Sequence, residues 1–283
     1  MEIMSSNGVP SLSLSSGYDI PQLGLGVFRM EPDDATRVVL DAFEVGYRHI
    51  DTAKVYDNEE GVGTAIAQSG LDRKDLYITT KLWNADQGAT EPRAALEGSL
   101  ERLGLDYVDL YLIHWPAPAK DLYLESWLAM EQLHSEGLVR SIGVSNFEPE
   151  HLERLAAHSS TMPVVNQVEL HPAFQQRDLR AFQEPRGILT EAWGPLGQGK
   201  YSLEEQCPGL VDIATKHGKS VAQVVIRWHL QEGVIVFPKT VRKERLVENF
   251  DVFDFALDAT DMAEIAAMDA GKRVGTHPMD GNW

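Results

Sequence analysis

Three short apolar runs each close on a residue able to move or hold a proton: Asp51 after residues 48–51, Lys81 after 76–81, and His114 after 108–114. A fourth such residue, Tyr56, follows Asp51 within the stretch GYRHIDTAKVYDNEEGVG (46–63). A tyrosine hydroxyl has a reference pKa of about 10 and is a weak proton donor at neutral pH. A buried ammonium beside it favours the ionised form and strengthens the donor. Lys81 has the type to supply that charge, and Asp51 the type to hold the lysine, since removing one partner of a buried ion pair costs roughly 3–5 kcal/mol. His114 would orient a substrate carbonyl by hydrogen bonding beside the phenol. Each residue alone has a plain structural reading, as a cap, a core ring or a solvated charge. Their placement on three successive strands favours the chemical one.

Such a placement requires strands that end at a common rim. Residues 23–28, 48–51, 76–81, 108–114, 141–145, 164–169, 188–192 and 234–237 read as strands, with helical periodicity in every gap. After the first strand, Pro32 starts a helix whose Ala35, Val38, Val39, Ala42 and Phe43 share one face, and Gly46 stops it. Further helices are predicted over 59–68, 91–103 and, last, 261–268. Residues 11–20 alternate about a Ser-Gly turn, as a β-hairpin does. Strict alternation without a linker predicts one domain over residues 1–283. Its fold class is α/β, a (β/α)8 TIM barrel with an N-terminal β-hairpin and a C-terminal extra helix and tail. An open doubly wound sheet fits the alternation too, but the glycine pairs at 24/26 and 61/63 lack the third glycine of a dinucleotide-binding fingerprint.

Composition narrows the function. With 283 residues, 43% of them hydrophobic, the chain can bury a large core. Its net charge of -18 disfavours nucleic acid and anionic membrane surfaces as partners. The single cysteine, Cys207, cannot form an intrachain disulfide, and no leader or membrane span is evident, so a cytoplasmic protein is expected. Against that negative background KTVRKER (239–245) is basic, and it lies after the eighth strand at a helix start, where barrels commonly hold phosphate. Phe28, Trp83 and Trp115 follow the first, third and fourth strands and, with His114, would form an apolar substrate rim. The connection over 116–125 leaves no room for a large lid, which predicts an open site for small aldehydes, ketones or keto sugars.

Six stretches, GYRHIDTAKVYDNEEGVG, LYITTKLWN (76–84), LGLDYVDLYLIHWP (103–116), GLVRSIGVSNF (137–147), NQVELHP (166–172) and FPKTVRKERLVENFDVFDF (237–255), together resemble the aldo-keto reductase family. The likeness runs from residue 23 to about 269 in the family's order. AWGPLGQGKY (192–201) is similar to the bacterial 2,5-diketo-D-gluconic acid reductase branch. The resemblance implies a monomeric (β/α)8 barrel and carbonyl reduction by NADPH, with Asp51, Tyr56, Lys81 and His114 catalytic and Tyr56 the general acid. It implies that Ser145, Asn146 and Gln167 hold the nicotinamide carboxamide and that Trp193 stacks on the ring. The loop carrying Leu196, Gly197, Gln198 and Gly199 would close over the pyrophosphate. Lys239, Thr240 and Arg245 match positions around the adenosine 2′-phosphate and Asn249 lies near the adenine, with Gly194, Phe237 and Val241 also in the cofactor site. NADPH is accordingly expected to be preferred to NADH. The tail, GKRVGTHPMDGNW, is expected to bring Arg273 or Trp283 near the substrate. An alternative is a cofactor-binding, redox-sensing barrel subunit with little turnover. A metal-dependent barrel hydrolase is a third class, but the His residues show no His-x-His or HExxH spacing, and no metal is expected.

Overall fold

A computed structural model describes residues 3–4, 8–200 and 202–281. The chain opens on a small antiparallel sheet of β1 (Ile3–Met4), β2 (Pro10–Ser13) and β3 (Asp19–Pro21). The expected hairpin is thus the second half of a three-stranded sheet, because Ile3 and Met4 pair with Ser11 and Pro10. Ile20 of this sheet and Leu14 just after β2 pack on Tyr77, Leu110, Val165 and Ile235, sealing the amino-terminal end of the main sheet with apolar side chains.

The main sheet has eight parallel strands in chain order: β4 (Leu25–Gly26), β5 (His49–Asp51), β6 (Tyr77–Leu82), β7 (Val108–Ile113), β8 (Val139–Ser145), β9 (Val165–Glu169), β10 (Leu189–Trp193) and β11 (Ile235–Val236). Its two edges join. Leu23 pairs with Val236, the Gly24 amide donates to the Val236 carbonyl at 3.0 Å, and the Val236 amide donates to that of Gln22 at 2.9 Å. This closure decides for the barrel over the open sheet, and it leaves no bare strand edge.

Around the barrel lie α1 (Pro32–Val45), α2 (Glu59–Ser69), α3 (Glu91–Leu103), α4 (Tyr123–Ser135), α5 (Pro149–His158), α6 (Arg177–Gln183), α7 (Leu203–Gln206), α8 (Gly209–His217), α9 (Val221–Gln231), α10 (Lys243–Phe250) and α11 (Ala259–Ala266). The last begins two residues before its expected start because the Asp258 side chain accepts from the Thr260 and Asp261 amides and caps it. Gly61 and Gly63 serve packing: a Cβ there would meet the Pro32 carbonyl oxygen at 2.3 Å and the Leu103 carbonyl oxygen at 2.5 Å, so α2 lies flush against α1 and α3. The apolar core is the layer between strands and helices. Inside the barrel, by contrast, the buried residues include Asp51, Lys81, Gln167 and Glu191.

Candidate active site

Strand alternation puts Tyr77, Thr79 and Lys81 of β6 on one side of the sheet, and Lys81 is 0% exposed. Its ammonium reaches Asp51 Oδ1 at 2.6 Å, the Thr52 carbonyl at 2.9 Å and the Tyr56 hydroxyl at 3.5 Å. Each of its three protons therefore has an oxygen to face. Tyr56 ends a 3-10 turn, Lys54–Tyr56, which Asp57 leaves in the left-handed region at φ 56°. Beneath it, Asn58 accepts from Thr52 Oγ1 at 2.8 Å and donates to the Val27 and Met30 carbonyls at 2.9 and 3.1 Å. Asn58 thus ties the loop after β4 to the loop bearing Tyr56. Asn58 immediately precedes α2, but its side chain makes no cap hydrogen bond to that helix and is spent on these loop contacts.

The electrostatics correct one expectation. Burial, with the Asp51 charge, raises the Tyr56 hydroxyl above its ordinary value despite the opposing Lys81 charge and hydrogen bond. Tyr56 is therefore a neutral phenol, and Lys81 offsets only part of the desolvation. For Lys81 itself burial favours the neutral amine, but Asp51 and then Tyr56 outweigh it and hold the group above its usual value, as an ammonium. Burial, followed by the Lys81 charge, pushes His114 well below the usual imidazole range. His114 is a neutral ring, and its Nδ1 is buried with no hydrogen-bond partner. The Tyr56 ring lies 5.6 Å from that of His114 and 5.0 Å from that of Phe28, and Trp83 lies 5.2 Å from His114. The four expected groups and two of the three rim aromatics are thus one cluster.

Along the same rim, Ser145, Asn146, Gln167 and Trp193 form a second group, joined to the first where Gln167 Nε2 donates to Asp51 Oδ2 at 2.8 Å. Asn146 has φ 63° and donates from Nδ2 to the His114 carbonyl (3.0 Å) and Ser145 Oγ (3.1 Å), while its Oδ1 accepts from Trp193 Nε1 (2.8 Å). Ser145 Oγ donates to the Gln167 carbonyl at 2.8 Å. Trp193 is pinned at its edge, with its ring half-buried. Gly194, Leu196, Gly197, Gln198 and Gly199 form the turn after β10, with φ positive at Gly194, Gly197, Gln198 and Gly199. Phe237 sits differently from the other expected cofactor residues: its ring is buried in the barrel interior, 4.8 Å from His49, so only its main chain faces elsewhere.

After β11, Thr240 is buried and its hydroxyl accepts from the Arg242 amide at 3.2 Å, just ahead of α10. Lys239, Val241 and Arg245 are exposed, and Asn249 is buried on α10. In the tail, Arg273 pairs with Glu148 at 3.2 Å and lies 4.7 Å over Phe174, and Trp283 falls outside the described residues. What reaches the rim is backbone: a Cβ at Gly275 would meet Trp193 at 2.5 Å, and one at Gly281 would meet Trp115 at 2.8 Å. Glu169 holds this tail by accepting from the Val274 and Gly275 amides at 2.6 and 2.8 Å. Two clefts of about 670 and 650 Å³ lie out among α1, α2 and α10, and neither is lined by any of the four. Among the described residues no group of three or more His, Cys, Asp or Glu is placed to hold a metal ion.

A closed parallel barrel with a tyrosine, a lysine–carboxylate pair and a neutral histidine at its carboxyl rim is the frame of a carbonyl oxidoreductase, and the chain belongs to the Aldo/keto reductase family, whose profile matches residues 22–270. It is 50% identical over 267 residues to methylglyoxal reductase DkgA of Escherichia coli (strain K12), covering 94% of this chain and 96% of that one. Glyoxal reductase of Bacillus subtilis (strain 168) is likewise 50% identical, over 269 residues, with 95% and 96% covered. Among solved structures, a Gox0644 mutant in complex with NADPH superposes with a TM-score of 0.90 at 49% identity, covering 95% of this chain and 97% of that one.

Proposed function

We propose that this chain, as one catalytic domain, reduces small aldehydes, ketones or keto sugars to alcohols with NADPH, Tyr56 acting as general acid. The observation that carries this reading is the Lys81 ammonium, which is held by Asp51 and the Thr52 carbonyl with its remaining direction toward the Tyr56 oxygen. The residues fit the cofactor. Gln167 keeps Oε1 as an acceptor for a carboxamide, Trp193 offers a fixed apolar face, and Lys239 and Arg245 stand exposed without an ion pair among the described residues, beside the start of α10. Two cations at that end favour a 2′-phosphate, hence NADPH over NADH.

When bound, NADPH supplies the hydride, which no side chain can. The chain's own work is on the oxygen. Tyr56 hands its phenolic proton to the carbonyl oxygen as negative charge gathers there. The phenolate so formed lies next to the Lys81 ammonium, and Asp51 keeps that ammonium in place. His114, uncharged, hydrogen-bonds the same oxygen without competing as the acid. Phe28, Trp83 and Trp115 exclude water from the reacting carbon. The relatives' names make methylglyoxal and glyoxal the first compounds to try, with keto sugars next. In keeping with the family we read the protein as a cytoplasmic monomer acting on small molecules; no helix among the described residues is long and apolar enough to cross a membrane.

The test is oxidation of NADPH, followed at 340 nm, with a panel of such carbonyls. Wild type turns over several of them and prefers NADPH to NADH in kcat/KM. Tyr56→Phe loses at least about a hundredfold in kcat, within the usual share of general acid catalysis, while its Kd for NADPH stays within about twofold. Retention of wild-type turnover by that variant removes Tyr56 from the role.

A further inference from the structure

One buried acid of the barrel interior has no part in the scheme above. Glu191 lies on β10, wholly buried, opposite Gln167 on β9 and Ile235 on β11. Its Oε2 accepts from Gln167 Nε2 at 2.9 Å, and that same nitrogen donates to Asp51 Oδ2 at 2.8 Å. The two hydrogens of one amide are thus divided between the acid that holds Lys81 and a second acid deeper in the barrel. The ionised Asp51 can only accept and Glu191 accepts through Oε2, so this end of the amide must be NH2, and the carbonyl oxygen must point the other way.

We propose that Glu191 is a positioning residue of the reductase, locking the Gln167 amide so that its NH2 braces Asp51 and its oxygen is presented to the nicotinamide carboxamide. The inference rests on the reading of the site given above. Without Glu191 the amide has one acceptor fewer and can turn over, which loosens Asp51 and withdraws the acceptor from the cofactor together.

Glu191 suits the part as an uncharged acid. Its Oε1 is buried without a hydrogen-bond partner, a poor setting for a carboxylate. Burial first, and the Asp51 charge second, push its pKa up to about 8, with Gln167 and Lys81 acting the other way. The titratable groups facing it are Asp51 on β5 and Lys81 and Tyr77 on β6, while Ile235 on β11 contributes none. Ionisation of Glu191 would add a second negative charge beside Asp51. That makes Tyr56 a weaker acid, so reduction falls as pH rises through that range.

Glu191→Leu and Glu191→Gln separate the alternatives. Leu removes the acceptor: kcat/KM drops at least about tenfold and the Kd for NADPH, read by fluorescence, rises about tenfold. Gln keeps an acceptor without a titrating proton, so it restores most of what Leu loses at pH 7, and its kcat/KM lacks the decline near pH 8. A readout independent of turnover is Tm against pH. Because the folded-state pKa of Glu191 is raised, the unfolded chain sheds that proton first, and wild type loses stability between about pH 4.5 and 8. The Tm of Glu191→Gln relative to wild type therefore climbs across that window. Wild-type cofactor affinity in the Leu variant, or an unchanged alkaline limb together with a constant Tm difference in the Gln variant, overturns the proposal. Should Leu fail to fold, the Gln profile and Tm series decide alone. Wild type that binds NADPH but oxidises it with no carbonyl defeats the functional reading instead, and leaves the Kd and Tm arms standing.

Discussion

Lys81, in the proposed catalytic half of the site, is wholly buried with an oxygen facing each proton, whereas Lys239 and Arg245, in the proposed cofactor half, stand exposed without an ion pair among the described residues. One half of the site is assembled before any ligand arrives. The other offers charge and leaves its geometry to the ligand. Chemistry that depends on where a proton sits needs the first arrangement, because catalytic groups must be held near the productive geometry throughout. Capture of a phosphate needs mainly opposite charge in reach, and exposed cations beside a helix start would supply it.

Four substitutions sharpen the contrast. Lys81→Met strands Asp51 in the barrel interior, and we expect it to abolish turnover and lower the unfolding free energy by roughly 3–5 kcal/mol in urea titrations. A cost near zero would show that the buried half is not assembled as described. Arg245→Ala and Lys239→Ala should each raise the Kd for NADPH about tenfold, less at high salt, with NADH affinity and the urea midpoint unchanged. Equal weakening of both cofactors would take the 2′-phosphate away from these side chains. Lys243→Ala is the smallest change. Its ammonium is already paired with Asp41 at 3.0 Å and with Glu44 at 2.5 Å, so cofactor affinity should not move, and a shift comparable to that of Arg245→Ala would redraw the phosphate contact.

The acid limb of stability follows from other buried groups. Burial pushes His49 down to about 3 and His229 to about 4, so both remain neutral in the fold while the unfolded chain gains protons below about pH 6.5. Their contribution is complete above that pH and falls away as the pH drops toward those values. The sign is opposite to that of Glu191.

Much of this was readable from residue order. The eight strand–helix pairs, the stop of α1 at Gly46 and the four rim residues follow from local periodicity, turn chemistry and the alternation of side chains along a strand. The pairing of β1 in the amino-terminal sheet, the seam between Leu23 and Val236, the bracing role of Asn58 and the bond from Gln167 to Asp51 were not. Each depends on residues distant in the chain meeting at a set distance, and local patterns carry no such information. Arg273, which the tail was expected to bring near the substrate, meets Glu148 and Phe174, two contacts that residue order does not announce.

What residue order by itself determined was the inventory, namely which polar groups end which strands and that the strands alternate with helices, because hydrogen-bonding periodicity is local. Only the closed barrel decided the balance of charge inside it. Whether the Tyr56 hydroxyl is made more or less acidic depends on how much water the fold removes compared with how near it brings Lys81, and whether Glu191 keeps its proton depends first on its burial and then on Asp51 lying across the same amide. Desolvation and distance are properties of the assembled interior, and no one strand carries them.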